Sequence, residues 1–283
     1  MSNYRFSQLS ENDFDQMHRS FLEAFNDYPV KFDLTSRQFE YRMLNKLNIN
    51  FDVSYGAFSG EKLAAFLFHT INNYKGRETA YNGGTGVIAG HRGRNLIQYL
   101  YKMALTDFQK IGVKSILLEV LENNAFAIKL YEEVGFNKTK TLNCFKKEVL
   151  STKPKKRNIE IKRATAIQDN FQSFGDYTPT FGDTLEQVIF NLEDESILTA
   201  LIDGNLIGYL IFQAKIGRIT QIAVSKDYRR LGAGSALIYA AEQVSAVPLT
   251  VMNVDCNYSD LHTFLINQGF RKSLTQFEME LKL

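Results

Sequence analysis

The same loop pattern occurs twice in this sequence, and the repeat constrains the fold more than any other feature. Residues 91–100 read HRGRNLIQYL and residues 228–237 read YRRLGAGSAL. In each half a valine stands five residues before the first loop arginine, and a Gly-Phe pair follows further along. The valine and arginine are Val87 and Arg92 in the first half and Val224 and Arg229 in the second. Such self-similarity indicates one folding unit present in two copies, and 283 residues are enough for two domains.

The order of the predicted elements is similar in both halves. A strand comes first, followed by helical segments, a hairpin, a further strand, the repeated loop, a helix, a strand and a last helix. This mixture predicts an α/β fold with a mixed sheet in each half. In the first half, the segment after Phe136 is predicted to form a hairpin that ends near Leu150.

A basic run, KPKKR at residues 153–157, separates the two patterns. A short Lys/Pro cluster between two apolar patterns is typical of a solvated linker, although a nucleic-acid or membrane patch is the alternative. The predicted organisation is therefore a domain over 1–150, a linker over 151–157 and a shorter domain over 158–283.

Charge and composition argue against several classes of function. The 33 basic and 31 acidic residues leave a formal net charge of +2, too little for nucleic acid as the main partner. No apolar run is long enough to span a bilayer, and the polar start of the sequence lacks the pattern of a signal peptide. Cys144 and Cys256 lack metal-ligand spacing and are typical of a reducing compartment. We expect a cytoplasmic protein with no metal and no membrane partner.

The second loop has the composition of an anion site. A glycine-bearing loop between a strand and a helix can direct several backbone N–H groups at one point, because glycine adopts positive φ and has no Cβ to block a ligand. The N-terminus of the following helix adds unpaired N–H groups and the positive end of its dipole. Gly232, Gly234 and the two arginines therefore predict a phosphate or pyrophosphate site, with an ordinary capped turn as the alternative.

These residues resemble a known family, the GNAT superfamily of acetyl-CoA-dependent N-acetyltransferases. Residues 229–234, RRLGAG, resemble its pyrophosphate loop, [QR]-x-x-G-x-[GA]; residues 87–100 resemble the same motif, and residues 123–136, NNAFAIKLYEEVGF, resemble its second cofactor motif. The resemblance implies two tandem GNAT-type folds and acetyl-CoA as cofactor. The implied cofactor-binding residues are Val87, Ile88, Arg92, Gly93, Arg94, Asn95, Leu96, Ile97, Asn124 and Ala127 in the first half, and Val224, Arg229, Arg230, Leu231, Gly232, Ala233 and Gly234 in the second.

The resemblance also implies catalytic residues in the first half. Tyr131 occupies the position where many GNAT enzymes place a tyrosine beside the cofactor sulfur, so it is expected to protonate the leaving thiolate. Glu119 has the residue type and spacing of the glutamate in ribosomal-protein alanine N-acetyltransferases, which this half resembles, and is expected to accept the proton of the attacking ammonium. The alternatives are a core aromatic for Tyr131 and a cross-strand salt bridge for Glu119, and Glu122 is a substitute base.

The two halves depart from the family in opposite ways. In the first, Asn95 and Ile97 stand where the second has Gly232 and Gly234. In the second, counting back from Gly269 places Asn253 at the position of Glu119 and Leu265 at that of Tyr131. Asp255 and Tyr258 are candidate replacements there, although a turn aspartate and a helix-start aromatic are the simpler interpretations.

The sequence therefore predicts an acetyl-CoA-dependent N-acetyltransferase whose first domain is catalytic. The acceptor is expected to be a small-molecule amine or a peptide N-terminus, and a homodimer is a further expectation. Phe25, Asp27, Tyr28 and Phe32 are candidates for lining the amine pocket. The alternative function is that of a non-catalytic acyl-CoA-binding sensor.

Overall fold

A computed structural model describes residues 3–152 and 158–283, and the chain divides into two compact units. Unit 1 consists of Met1–Thr139 together with Glu278–Leu283, and unit 2 consists of Lys140–Phe277. The predicted domain limits follow the sequence repeat and stay a prediction. The basic run at 153–157 lies outside the described residues.

Unit 1 has the predicted alternation of strands and helices. Its helices are α1 (Phe14–Ala24), α2 (Ser36–Glu40), α3 (Leu96–Lys110) and α4 (Ala125–Val134). Its strands are β1 (Arg5–Gln8), β2 (Tyr55–Ser59), β3 (Lys62–Tyr74), β4 (Arg77–Val87) and β5 (Ser115–Leu121). The predicted helix ends are confirmed at Gly112 and Gly135, whose φ angles of 80° and 113° end a helix without a Cβ clash.

The sheet of unit 1 has the strand order β1-β2-β3-β4-β5. Neighbours are antiparallel except for β4 and β5, which run parallel. Behind it, α1 packs an aromatic core whose members are at most 2% exposed, Phe21, Phe39, Phe66 and Phe68. The register between β3 and β4 shifts at Phe68/His69, which leaves Gly83 as the unpaired residue of a bulge.

The parallel strands β4 and β5 separate soon after they meet. They pair only where Thr79–Tyr81 lies beside Ser115–Leu117. The second half of β4 and the end of β5 are therefore free of each other, and they form the two sides of an opening in the sheet. Val87 and Glu119 both lie beyond the last pair.

Unit 2 repeats the pattern with less helix before its hairpin. The strand β6 (Asn137–Lys147) leads into it, followed by β7 (Glu160–Ala164), α5 (Leu185–Ile189), β8 (Ser196–Ile202), β9 (Asn205–Gln213), β10 (Arg218–Val224), α6 (Ala233–Glu242), β11 (Thr250–Asp255), α7 (Ser259–Asn267) and β12 (Phe270–Lys282). Its strands β7 to β11 are neighbours in the order β7-β8-β9-β10-β11. Here β10 and β11 run parallel and pair only at Arg218–Ile219 with Thr250–Val251. The opening of unit 1 thus has a counterpart.

The predicted hairpin over residues 137–150 is wrong, because β6 is one continuous strand. Within unit 2 it pairs antiparallel with β11, from Leu142↔Asp255 to Lys146↔Thr250. The end of β12 belongs to unit 1, where β12 is the neighbour of β5 and the Leu283 N–H donates to the Lys114 carbonyl at 3.0 Å. The strands β6 and β12 therefore each contribute residues to both units.

Candidate functional site

The two repeated loops have the same backbone conformation despite their different residues. In unit 1, Gly93 and Asn95 have positive φ angles of 71° and 56°. In unit 2, Arg230 and Gly232 have positive φ angles of 65° and 97°. Asn95 directly precedes α3 and Gly232 directly precedes α6. Because asparagine tolerates the left-handed region better than most residues, the first loop keeps its shape without a glycine at that position.

The first arginine of each loop is held by an aspartate side chain and by two backbone carbonyls. Arg92 forms a bidentate ion pair with Asp27, at 2.5 and 2.8 Å, and donates to the carbonyls of Ala24 and Val87 at 3.0 and 3.2 Å. The carboxylate of Asp27 is fixed by this pair, and the hydrogen bond from Arg92 lowers its pKa to about 2. The guanidinium therefore connects the loop to the end of α1. We call this arrangement of the arginine, the aspartate and the two carbonyls the clasp.

Unit 2 reproduces this clasp. Arg229 forms an ion pair with Asp176 and donates to the carbonyls of Phe174 and Val224 at 3.3 and 3.0 Å. The Arg229 hydrogen bond lowers the pKa of Asp176. A second local repeat, DYP at 27–29 and DYTP at 176–179, marks the acidic partners, and sequence reasoning missed it. Since both arginines are engaged, the loops would bind an anion mainly through backbone N–H groups at the starts of α3 and α6.

The other predicted loop residues surround these anchors. Val87 and Val224 end β4 and β10, and the buried Ile88 donates its N–H to the Ala64 carbonyl at 3.0 Å. Leu96 and Ile97 begin α3 with their side chains buried, and Ala233 begins α6. The Arg94 side chain is exposed, as is Leu231 at 41%. Around Gly93, a Cβ would meet no atom within 4 Å, which leaves open space at this backbone.

Asn124 and Ala127 form the start of α4. The Asn124 side chain accepts the N–H of Ala127 at 3.1 Å and so caps the helix. Burial raises the pKa of Tyr28, and a hydrogen bond with Asn124 opposes that rise. The aromatic residue of the first DYP segment thus reaches the cofactor motif that sequence reasoning identified.

Tyr131 lies beside a polar network in unit 1. The Asn82 amide donates to the Thr85 hydroxyl at 2.6 Å and to the Tyr101 hydroxyl at 2.5 Å. Burial raises the pKa values of the Tyr101 and Tyr131 phenols, and the nearby Thr85 hydroxyl opposes that rise. The two phenol rings meet edge to face, with centroids 6.4 Å apart. Burial raises the pKa of Tyr131 to about 12, so its hydroxyl keeps its proton at neutral pH.

Glu119 lies on β5 and is engaged by the opposite side of the opening. The Tyr81 hydroxyl on β4 donates to its Oε2. Tyr81 is the last residue of β4 paired with β5, so this bond crosses the point where the strands separate. A phenol is thus one partner of Glu119 across the opening, and the alternative of a cross-strand salt bridge stays a prediction.

Sequence reasoning missed Tyr81, Asn82, Thr85 and Tyr101. A signal was present in the segment YNGGTG at 81–86, where polar side chains alternate with glycines in a strand. Polar groups in such a strand need partners when buried, and here they partner one another.

In unit 2 the same positions are apolar. Counting from Val87 and Val224, and from Gly135 and Gly269 on the last helix, the counterparts of Asn82, Thr85, Tyr101 and Tyr131 are Ile219, Ile222, Ile238 and Leu265. All four are at most 7% exposed and belong to one hydrophobic core. Hydrocarbon therefore replaces the whole hydrogen-bonded network.

The remaining candidates of unit 2 have structural partners. Asn253, at the position of Glu119, has a positive φ of 57° and donates its N–H to the Cys144 sulfur at 3.4 Å. Asp255 accepts the N–H of Asn257 at 3.0 Å, and the Tyr258 ring contacts the Tyr177 ring at 5.2 Å between centroids. The cavity between β10 and β11, which Tyr177 also lines, has a volume of about 10 Å³. That is space for about one water molecule.

Gly234 is close to an aromatic side chain. A Cβ at this position would lie 2.9 Å from the tip of the Phe264 ring on α7. In unit 1 the corresponding residues are Ile97 and Leu130. The missing glycine of the first loop thus coincides with a smaller residue on the facing helix.

Across 3–152 and 158–283, no group of three or more His, Cys, Asp or Glu side chains is arranged to hold a metal ion. In that same part of the chain, no helix has the length and apolar character to cross a membrane.

Comparison with protein families gives the class of this fold and site. The model of the Acetyltransferase (GNAT) family matches residues 14–136 and 166–251. These ranges cover more than half of the chain and include both loops, so the chain belongs to the GNAT family. It is a GNAT-type N-acetyltransferase. A search of curated proteins finds no match.

Several solved structures are similar to this chain, and one of them is a tandem GNAT protein. A tandem GNAT protein from the clavulanic acid biosynthesis pathway, without acetyl-CoA, is 13% identical with a TM-score of 0.74, covering 99% of this chain and 98% of that one. A GCN5-related N-acetyltransferase from Sphaerobacter thermophilus is 12% identical with a TM-score of 0.67, covering 100% and 96%. The ribosomal-protein-S18-alanine N-acetyltransferase from Escherichia coli is 21% identical over 49% of this chain and 81% of its own, with a TM-score of 0.41. At these identities the first two likenesses show the fold alone.

Proposed function

We propose that unit 1 transfers an acetyl group from acetyl-CoA to a primary amine, and that unit 2 does not catalyse this reaction. One observation carries the proposal. In unit 1, Asn82, Thr85 and Tyr101 form a hydrogen-bonded network next to the Tyr131 ring, whereas isoleucine and leucine occupy these four positions in unit 2. Hydrocarbon side chains cannot donate a proton to a leaving thiolate.

The residues of unit 1 fit the cofactor. Gly93 provides open space beside a backbone of positive φ, and Asn95 begins α3, whose first N–H groups suit a pyrophosphate. Asn124 and Ala127 would bind the pantetheine side at the start of α4. Acetyl-CoA, when bound, supplies the thioester carbonyl that the amine attacks.

Two side chains of unit 1 would move protons. The Tyr131 hydroxyl would give its proton to the departing sulfur, and the Glu119 carboxylate would accept the proton of the attacking ammonium. Tyr81 holds the carboxylate on the β4 side of the opening. Both roles follow the resemblance, and the positions of Tyr131 and Glu119 on α4 and β5 support them.

The acceptor is proposed to be a small-molecule amine or a peptide N-terminus. Tyr28 contacts Asn124, and its ring packs edge-on against Phe25 with centroids 5.2 Å apart. We therefore propose that the segment with Asp27 and Tyr28 lines the amine pocket. A cytoplasmic location and a homodimer remain proposals.

A second role is favoured for unit 2. Its loop keeps Gly232 and the shape of an anion site, yet the proton-donating groups are replaced. We propose that it supports the fold or holds an acyl-CoA without turnover. Mass spectrometry under native conditions would separate these roles, since retention without turnover predicts two acetyl-CoA molecules per chain.

Replacing Tyr131 tests the catalytic assignment. Tyr131→Phe is expected to lower the single-turnover rate by roughly 10²–10⁴-fold, because the ring stays and only the proton donor is lost. Acetyl-CoA affinity, measured by calorimetry, should change little. The matched control is Tyr258→Phe in unit 2, which should keep the rate. Equal rates for Tyr131→Phe and the unaltered protein would contradict the proposal.

Replacing Glu119 tests the base. Glu119→Gln keeps the shape of the side chain but cannot accept the ammonium proton. The rise of kcat/KM with pH should therefore move to higher pH, toward the pKa of the free amine. An unchanged pH profile would remove Glu119 from the mechanism and direct attention to Glu122.

A further inference from the structure

We infer that Tyr81 limits the length of the acyl group that unit 1 accepts, because its hydrogen bond to Glu119 closes the inner end of the opening behind an acetyl group. The inner end is the point where β4 and β5 meet, at the pair Tyr81↔Leu117. This inference rests on the proposed function, in which the thioester lies between Tyr131 and Glu119.

The acyl group of the cofactor would reach the inner end. Val87 ends β4 at the first loop, six residues after Tyr81, and at about 3.3 Å per residue the two are roughly 20 Å apart. The arm of coenzyme A between pyrophosphate and sulfur is about as long as four extended residues, roughly 15 Å. A cofactor held by its pyrophosphate at the loop would therefore place its acyl group next to Tyr81.

Tyr81 and Glu119 close one face of the inner end. The Tyr81 hydroxyl on β4 donates to the Glu119 Oε2 on β5, and both side chains are half-buried. Leu117, which lies opposite Tyr81 on β5, is buried. The bond spans the two strands just beyond their last pair, so a longer acyl chain on this face would have to break it.

The other face of the inner end is closed by Asn82. Asn82 follows Tyr81 in β4, so its side chain points to the opposite face of the sheet. There its amide donates to the buried Tyr101 hydroxyl at 2.5 Å and to the Thr85 hydroxyl at 2.6 Å. A longer apolar chain would leave polar groups unpaired on either face, and an unpaired buried group costs more than an ordinary hydrogen bond contributes.

Unit 2 has other residues and other contacts at these positions. Counting from Val224 and from Gly269, Arg218 and Asn253 replace Tyr81 and Glu119. Arg218 donates to Asp183 at 2.6 Å, and the Asn253 N–H donates to the Cys144 sulfur at 3.4 Å. The fold of unit 2 thus does not depend on a tyrosine at this position.

Binding of acyl-CoA esters of increasing length tests the inference without any acceptor. The probes are acetyl-CoA, propionyl-CoA and butyryl-CoA, titrated by calorimetry into an Arg230→Glu background. The added negative charge on the second loop disfavours an anion there, so the heats report unit 1. In an open site, each further buried methylene would tighten binding by about fourfold. With a closed inner end, butyryl-CoA should instead bind at least roughly tenfold more weakly than acetyl-CoA. Equal or tighter binding of butyryl-CoA would overturn the inference.

Shortening the side chain should remove the discrimination. In the same background, Tyr81→Val should raise the affinity for butyryl-CoA relative to acetyl-CoA by at least roughly tenfold, because the ring and its bond to Glu119 are both lost. Tyr81→Ala should act in the same direction and serves as a second variant. Arg218→Gln, the matched change in unit 2, should leave the ratio of affinities unchanged. An unchanged ratio in both Tyr81 variants would overturn the inference.

Failure of the inference and failure of the proposed function give different results. If acetyl-CoA binds and Tyr131→Phe lowers the single-turnover rate, but chain length has no effect on affinity, only the inference is overturned. If Tyr131→Phe keeps the unaltered rate, or if no acyl-CoA binds in the Arg230→Glu background, the proposed function of unit 1 is overturned, and the inference with it.

Discussion

The two units share their loop and differ in what lies beneath it. Both have an arginine clasped by an aspartate and by two carbonyls, with positive φ at the same two loop positions. Around the opening, however, Asn82, Thr85 and Tyr131 are matched by Ile219, Ile222 and Leu265. The clasp thus does not depend on the polar network, because it is kept where that network is absent. The network is the feature that distinguishes the two sites.

The largest effect on stability is expected when Gly234 in the second loop is replaced by a larger residue. Gly234→Val should destabilise the protein by about 1–3 kcal/mol, because the new methyl groups would overlap the Phe264 ring. Phe264→Leu, which copies the Leu130 of unit 1, should recover most of that loss. Urea unfolding of the two single variants and the double variant measures the coupling. Purely additive losses would show that the glycine serves only the loop.

The two clasps should give the protein an acid-sensitive component. The pKa of Asp27 is lowered to about 2 from 3.8, so its pairing stabilises the fold above about pH 4, and this contribution is lost as the pH falls toward 2. Asp27→Asn should therefore flatten the dependence of the urea midpoint on pH in that window. Asp176→Asn should act in the same direction, since its pKa is also lowered. A pH dependence identical to that of the unaltered protein would contradict the clasp.

The smallest effect should come from exchanging residues with positive φ. Arg230→Gly should stabilise the second loop by about 0.5–1 kcal/mol, because arginine is strained in the left-handed region and the entropic cost of glycine offsets part of the gain. Asn95→Gly should change stability by only a few tenths of a kcal/mol and should preserve acetyl-CoA binding in unit 1. Thermal unfolding and calorimetry measure the two effects. A destabilising Arg230→Gly would mean that the arginine side chain contributes more than its strain costs.

The sequence was sufficient for the family and for the repeated elements. The loop valines, the helix-ending glycines and the alternating apolar residues are local signals, and the structure has the expected helices and strands at these places. The family relationship is confirmed by the match to the family model. It could be predicted because the loop motif depends on a short stretch of chain.

The features that the sequence did not predict, namely the pairing of β6 and the partner of Arg92, depend on residues far apart in the chain. The segment after Phe136 has the β pattern of a hairpin, yet its partners lie more than a hundred residues away. Likewise, nothing in the spacing of Arg92 indicates Asp27, 65 residues earlier, as its partner. The role of Asn95 in the loop was anticipated from its tolerance of positive φ, whereas the Thr85 network required side-chain positions.

Unit 1 is completed by the end of β12, and this has a consequence for synthesis on the ribosome. Residues 278–283 pack in unit 1, although the rest of that unit is complete at Thr139. At 5–20 residues per second, roughly 7–30 s pass before the missing segment has been made. During that time the edge of β5 lacks its neighbour β12, and an exposed strand edge is a site for wrong pairing. We therefore expect the nascent N-terminal part of the chain to be a client for a chaperone, although each finished unit has a core of its own.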